Sequence, residues 1–293
     1  MPRITQYTEA NSTNLKDSDV FITDGPSGVS KISAESLAQA TYDKLPTYAE
    51  VAPVTKRGLY RGASLGSGDT FAEASTAAQR AAIVNGSFEG LFIGDYWTIG
   101  GRIYRIADFN YWLGIGDEGK EFNTNHIVLL PDATFGNDKM NDSNVTTGGY
   151  VGSKMYSNEE SVLNVARATI SDQFGNYLAT HREYLCNAVT SGAESAGAWF
   201  DSTAELMNEV MVYGTHIRTA KNNGTYLEES SNKQLALFML NPSLINPARY
   251  YTWLRSVASA TYFASVGHGG RANANSASSS CGVRPAFAVK GTA

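Results

Sequence analysis

Tyr250-Tyr251-Thr252-Trp253-Leu254-Arg255 leads into Ser256-Val257-Ala258-Ser259-Ala260-Thr261-Tyr262-Phe263-Ala264-Ser265-Val266-Gly267-His268-Gly269-Gly270-Arg271-Ala272-Asn273-Ala274-Asn275-Ser276-Ala277-Ser278-Ser279-Ser280-Cys281, which gives way to Gly282-Val283-Arg284-Pro285-Ala286-Phe287. Ala, Ser, Gly and Asn fill 18 of the 26 positions from 256 to 281, a bias that alone reads as a low-complexity linker. The borders contradict a linker, because both carry the large apolar side chains of a packed core. A small-residue run clamped between two core segments is expected as a loop system on a rigid frame, where binding residues tend to sit. Lys, Glu, Gln, Met and Trp are missing from it, although they supply 40 of the 293 residues, so about three or four would be expected by composition. These are the types that a codon ending in a pyrimidine cannot encode. A run selected only for small side chains would lack them too.

Outward from this stretch, strands are expected at Tyr250–Leu254, around Tyr262–Val266, and at Val283–Val289. Upstream, apolar alternation on either side of Gly100-Gly101 marks a β-hairpin with a primed turn. Ile127-Val128-Leu129-Leu130-Pro131 reads as a short buried run ended by the proline, and residues ~132–153 read as loop. Ser157 with Glu160 forms a capping-box pattern ahead of Val162, Val165, Ala166 and Ile170. Ser202 with Glu205 repeats it ahead of Leu206, Val210 and Met211, with Gly214 as the stop. Two helices among hairpins and long loops make an α+β domain.

The first 57 residues read as a separate segment. Val20-Phe21-Ile22-Thr23, the turn signal Asp24-Gly25-Pro26-Ser27-Gly28, and Val29-Ser30-Lys31-Ile32 predict a hairpin, and Leu37, Ala38, Thr41 and Leu45 predict a short helix. A hairpin plus one helix is marginal alone and is expected to need an oligomer or a host assembly. Residues 58–87 read as a connector holding a helix between Thr70 and Val84, stopped by Asn85-Gly86. The main domain then runs from 88 to 293.

Composition excludes several functions. A net charge of −5 argues against nucleic acid as the main partner, since phosphate binding needs a basic face. No apolar run reaches the ~18 residues of a membrane span, and the N-terminus has no secretory h-region. His126, His181, His216 and His268 show no metal-binding spacing. His181 reads as a polar helix-end residue and His268 as a contact residue. Asp138 with Asn141-Asp142 is weighed as a cation site against a plain polar loop. Asp95 and Arg105 are expected to flank the first hairpin as a pair. No cofactor or metal is expected.

The frame Tyr250–Ser256 and Gly282–Phe287 around the small-residue run closely resembles the variable region of proteins diversified by diversity-generating retroelements. Gly94-Asp95-Tyr96-Trp97-Thr98-Ile99 and Tyr104-Arg105-Ile106-Ala107-Asp108 look like the opening of the same domain in phage and prophage members. Asp19-Val20-Phe21-Ile22-Thr23-Asp24 with Lys31-Ile32 resembles the particle-attachment ends of phage fibre proteins. The resemblance implies a C-type lectin-like domain whose variable region spans about 250–281, rewritten by error-prone copying at adenines. It implies a non-enzymatic receptor-binding or adhesion protein on the virion surface. Its partners would be a protein or glycan of the host cell and, through the N-terminal segment, other virion proteins; it would form a homo-oligomer, a trimer by analogy with phage fibres. The expected ligand contacts are Tyr251, Thr261, Tyr262, Ala264, Ser265, Gly267, His268, Arg271, Asn273, Asn275, Ser276 and Ser280, with Val257, Phe263 and Ala277 as frame. Calcium-dependent sugar binding in lectins of this fold uses Glu-Pro-Asn or Gln-Pro-Asp with Trp-Asn-Asp, and neither occurs here. A structural decoration protein is the alternative. A formylglycine-generating-type oxidase is a minor one, for which Cys186 and Cys281 are the candidates.

Overall fold

The computed structural model describes residues 20–25, 28–33, 56–227, 230 and 233–293. The chain divides into two compact units, 1–51 and 52–293. In the first, β1 (Val20–Gly25) and β2 (Gly28–Ser33) form the expected antiparallel hairpin, in register from Val20↔Ser33 to Gly25↔Gly28. The helix expected over Leu37–Leu45 lies outside the described residues.

The second unit is mixed α and β, mostly sheet with few helices. Residues 58–87 are part of this unit and not a connector. β3 (Ser64–Gly68) adds in parallel to β4 (Tyr96–Ile99). Arg57 and Arg61 reach into the unit to clasp the buried Asp108 and Asp95, each at 2.6 Å. Asp95 therefore pairs with Arg61, while Arg105 pairs with Asp132 at 2.7 Å, so the expected Asp95–Arg105 pair does not form. Gly66, with φ at +154°, leaves no room for a side chain against the Ala74 carbonyl, so this glycine serves close approach.

The helix expected from Thr70 to Val84 is two: α1 (Phe71–Ala74) capped by Thr70, and α2 (Ala77–Val84) capped by Thr76. Each cap is a reciprocal box, with Glu73 and Gln79 returning to the cap backbone. Ser75 is extended between them, so the second threonine restarts the helix. Phe71 meets Trp97 and Phe174 at 5.3 and 5.6 Å between ring centroids, seating α1 in the core.

Gly100 (φ +54°) and Gly101 (φ +76°) turn β4 into β5 (Arg102–Phe109) as expected. β6 (His126–Pro131) is buried along its whole length. After β7 (Asn137–Lys139) come the short helix α3 (Lys154–Ser157) and α4 (Val162–Phe174). Ser157 ends α3; the cap of α4 is Ser161, whose hydroxyl accepts from the Asn164 amide. The buried face of α4 is Leu163, Ala166, Ile170 and Phe174, and Val165 points to solvent. β8 (Leu178–Ala179) precedes a long hairpin that the sequence reading missed, β9 (His181–Thr190) with β10 (Ala193–Ser202). The reason is chemical: inward positions of β9 hold His181 and Glu183, which erase the apolar alternation. His181 is thus a buried strand residue, not a helix end. Ser202 closes β10 and Glu205 lies in β11 (Ala204–Leu206), so the second expected capping box does not exist. Asn208 caps α5 (Glu209–Tyr213), and Gly214 ends it at φ +78° as expected. α6 (Ala236–Leu240) and a 3₁₀ turn at Pro242–Ile245 lead to β12 (Thr252–Val257), β13 (Tyr262–Val266), β14 (Ala272–Ser276), β15 (Ser280–Gly282) and β16 (Pro285–Lys290).

Two larger sheets result. One runs β11-β16-β6-β5-β4-β3, with β8 also on β16; the other runs β14-β13-β12-β15-β7. Between and around them lie two hydrophobic clusters. The larger gathers Trp97, Tyr104, Leu129, Leu254 and Phe287; the smaller gathers Tyr150, Met155, Trp253, Phe263 and Val283.

His126 is sealed in the larger sheet with no exposure. Its Nε2 accepts from the Trp112 amide at 3.1 Å while Nδ1 sits 2.8 Å from the Thr124 carbonyl, an arrangement that requires the neutral ring with the proton on Nδ1. Burial pushes its pKa down to about 3 from an ordinary 6.5. The unfolded ring takes a proton first. Its contribution to stability is therefore full above pH 6.5 and is lost as pH falls toward 3, at up to about 1.4 kcal/mol per pH unit. Urea midpoints measured across that range should fall more steeply for the native chain than for His126→Asn.

Candidate ligand-binding site

The site is built from β12 outward. Every residue of β12 is buried, and five consecutive residues are tethered or packed. Trp253 Nε1 donates to the Asp138 carbonyl at 2.8 Å, and Leu254 packs into the larger core. The Arg255 backbone amide donates to the Met207 carbonyl at 2.9 Å. The Ser256 hydroxyl accepts from the Glu209 amide, and the Val257 amide donates to the Glu194 carboxylate at 2.7 Å. These side-chain and cross-element bonds replace part of the ladder with β13, whose register shifts between Trp253↔Ser265 and Val257↔Phe263.

The strongest tether is ionic. Arg255 Nη1 lies 2.6 Å from Glu183 Oε2, with both side chains nearly or fully buried, and Nη1 also donates to the Leu206 carbonyl. Burial works to raise the Glu183 carboxyl's pKa, but the Arg255 guanidinium and His181 outweigh it and hold it below its ordinary value. Nearby, Glu205 faces Arg167 at 2.6 Å and accepts from the Tyr150 hydroxyl at 2.7 Å; here burial dominates and its pKa is raised.

On this frame β13 and β14 pair from Tyr262↔Ser276 to Val266↔Ala272. β13 does not alternate between core and solvent. Phe263 enters the smaller cluster, while Ala264 and Val266 enter the larger one. Ala264 and Ser265 are fully buried and Gly267 is buried, so these three expected contacts present nothing to a ligand. A strand caught between two cores has no solvent face. The frame assignments stand as read: Val257, Phe263 and Ala277 are at 0% exposure, next to Tyr262 at 41%.

The remaining expected contacts fall into two groups at opposite ends of β13–β14. Around Tyr262 lie Thr261, Ser276 and Ser280, joined by the bonds from the Ala277 amide to the Thr261 carbonyl and from the Ser279 amide to the Ser276 carbonyl. At the other end lie Tyr251, His268, Arg271 and Asn273. The Tyr251 and His268 rings meet at 4.2 Å between centroids, and His268 and Arg271 are exposed. Asn275 belongs to neither group. It shares the inward face of Phe263, and its Nδ2 lies 2.9 Å from Cys281 Sγ.

Sequence reading missed the segment before the small-residue stretch. Tyr250 is 65% exposed, and a cavity of about 190 Å³ opens between Ser243, Asn246 and Arg249 on one side and His268, Gly269 and Gly270 on the other. No motif marks it; the only local signal is the Asn-Pro punctuation at Asn241-Pro242 and Asn246-Pro247.

Cys186 and Cys281 are both buried and not joined in a disulfide, and burial pushes Cys281 up to about 11, away from a reactive thiolate. Asp138 accepts from the Val162 amide at the start of α4, and Asp142 pairs with Lys154 at 2.7 Å. Among the described residues no group of three metal-ligating side chains converges, and no helix is long and apolar enough to cross a membrane.

This frame predicts two mutational outcomes. Glu183→Leu or Arg255→Met alone should cost about 3–5 kcal/mol, because each leaves a buried charge unpaired; a urea double-mutant cycle should recover a substantial part in the Arg255→Met/Glu183→Leu pair. Phe263→Ala should cost about 3–5 kcal/mol, whereas Tyr262→Ala should change stability by no more than about 0.5 kcal/mol, both by urea melts.

No protein-family model, curated protein or solved structure matches this chain, so the site stands on its own residues.

Proposed function

We propose that this chain is a phage-encoded receptor-binding protein that displays a hypervariable surface on a C-type lectin fold. In this reading the N-terminal segment attaches it to other virion proteins on the particle surface, and the chain assembles as a homo-oligomer, a trimer by analogy with phage fibres. It performs no catalysis, takes no cofactor or metal, and binds a protein or glycan of the host cell. Weak single-site affinity would be amplified by several copies acting together.

The observation that carries the reading is the contrast between β12 and the segment after it. A strand tethered at nearly every residue abuts a stretch whose exposed positions hold only small, hydroxyl, amide, aromatic and cationic side chains, with five residue types missing throughout. Such a frame keeps its fold while the tips change. Rigid aromatic residues such as Tyr262 supply contact area, and Ser and Asn adapt around them. The surface consists of two loop-tip patches and the edge strand β14, not one open sheet face. The two buried thiols give no support to an oxidase.

Sequencing this locus across its source population tests the reading. The expected result is substitution confined to adenines of a near-identical template copy across codons 250–281, beside a reverse transcriptase gene. An invariant segment without a template copy would overturn it and favour the decoration protein.

A further inference from the structure

The charge of this chain is divided unevenly along its length. All 28 acidic residues lie before position 230, together with 17 of the 23 basic ones; residues 230–293 hold Lys233, Arg249, Arg255, Arg271, Arg284 and Lys290 and no carboxylate side chain. A chain of net charge −5 therefore ends in a 64-residue segment of net charge +6. Arg255 is neutralised by Glu183. Arg284 is buried, its Nε donating to the Pro131 carbonyl and its Nη1 to the carbonyls of Leu244 and Ile245. Arg249 and Arg271 are exposed, and neither forms an ion pair among the described residues.

Arg249 stands at the cavity beside His268, and the walls there are fixed. Asn246 is buried, and its Nδ2 donates to the Tyr250 carbonyl at 2.7 Å and the Gly267 carbonyl at 2.8 Å, tying one wall to the other. Tyr213 Oη donates to the Gly270 carbonyl at 3.1 Å, and Arg284 holds the 3₁₀ turn from beneath. Arg249 itself sits at φ +55°, a backbone conformation that side chains other than glycine rarely adopt and that the surrounding bonds must maintain.

We propose that this cleft binds the carboxylate of an acidic sugar, with Arg249 as its partner. The inference rests on the display reading and supplies it with a ligand class. An arginine fork matches a carboxylate in a way a neutral hydroxyl cannot reproduce. At about 190 Å³ the space is smaller than the sites of drug-sized ligands, which run to roughly 300–1,000 Å³, and it suits a single hexose-sized ring. The Ser243 hydroxyl, the His268 ring and the backbone of the glycine turn offer hydrogen bonds to ring hydroxyls, and the Tyr251 ring packs on the lining residue His268, adding aromatic surface beside it. An extended acidic peptide would instead pair along a long groove or a free strand edge, and the lining of this cleft includes no strand residue. One wall, Pro242–Arg249, lies outside the stretch 250–281, and the other, His268–Gly270, lies within it. The acid anchor is thereby separate from the residues that would tune selectivity.

The test is calorimetric titration of the full chain with methyl β-D-glucuronide, the neutral methyl β-D-glucoside and a hexaglutamate peptide. Glucuronide should bind at least tenfold tighter than either comparator. Arg249→Gln should weaken it at least tenfold without moving the melting temperature. Gly269→Trp, at a position where an added Cβ meets no heavy atom within 4 Å, should narrow the cleft to the same effect. Equal binding of the glucoside, tighter binding of the peptide, no binding of the glucuronide, or indifference to both substitutions would overturn the proposal. None of those results touches the display reading, which the locus sequence tests separately.

Discussion

Two opposite charges removed from water, Arg255 on β12 and Glu183 on β9, meet at 2.6 Å, and much of the second unit is organised around that meeting. Neither could be buried without the other, because an unpaired charge in the interior costs several kcal/mol. The pair couples the long β9–β10 hairpin to β12, the strand that leads into the small-residue stretch. Further buried bonds gather around it: His181 with Glu183, the Leu206 carbonyl with Arg255, and the Glu194 carboxylate with the Val257 amide. A frame fastened by specific, short, buried bonds does not depend on the identity of the side chains at the loop tips. That property is what a diversified surface requires.

The same frame limits which positions of the stretch reach solvent. β13 lies between the two hydrophobic clusters, so Phe263 and Ala264 are both interior although they are neighbours in sequence. Exposure is confined to the turn before Tyr262, the glycine turn at 267–271, the loop 276–280 and the edge strand β14. The two ends of β13 are separated by its five residues, ~15 Å of extended chain. Two patches at that separation, one aromatic and hydroxylic around Tyr262 and one cationic around Arg249 and Arg271, offer different chemistries to a ligand.

Several parts of this arrangement are legible in local sequence. The Gly100-Gly101 hairpin, the N-terminal hairpin, the buried run at Ile127–Leu130, the Gly214 stop and the framing roles of Val257, Phe263 and Ala277 come from local rules of turn chemistry and apolar spacing. The errors arise where a residue finds a partner that the local pattern does not name. Glu205 serves Arg167 and Tyr150, not a helix end. Ser157 donates to the Ser153 carbonyl at the end of α3, leaving the cap of α4 to Ser161. Asp95 takes Arg61, 34 positions away, while Arg105 takes Asp132.

By itself the sequence determined the mixed α and β character, the position of the compositionally odd stretch and the core nature of its borders, since hydrophobic period, glycine turns and composition act over a few residues. It also settled the charge asymmetry, which is only a matter of counting. The tertiary structure alone decided which expected contacts are buried, that Asn275 turns inward to Cys281, and that Arg249 joins His268 across a cleft. Burial depends on what packs against the second face of a strand, and a cleft depends on which distant segments meet. Both are properties of contacts between residues far apart in the chain, which no local pattern encodes.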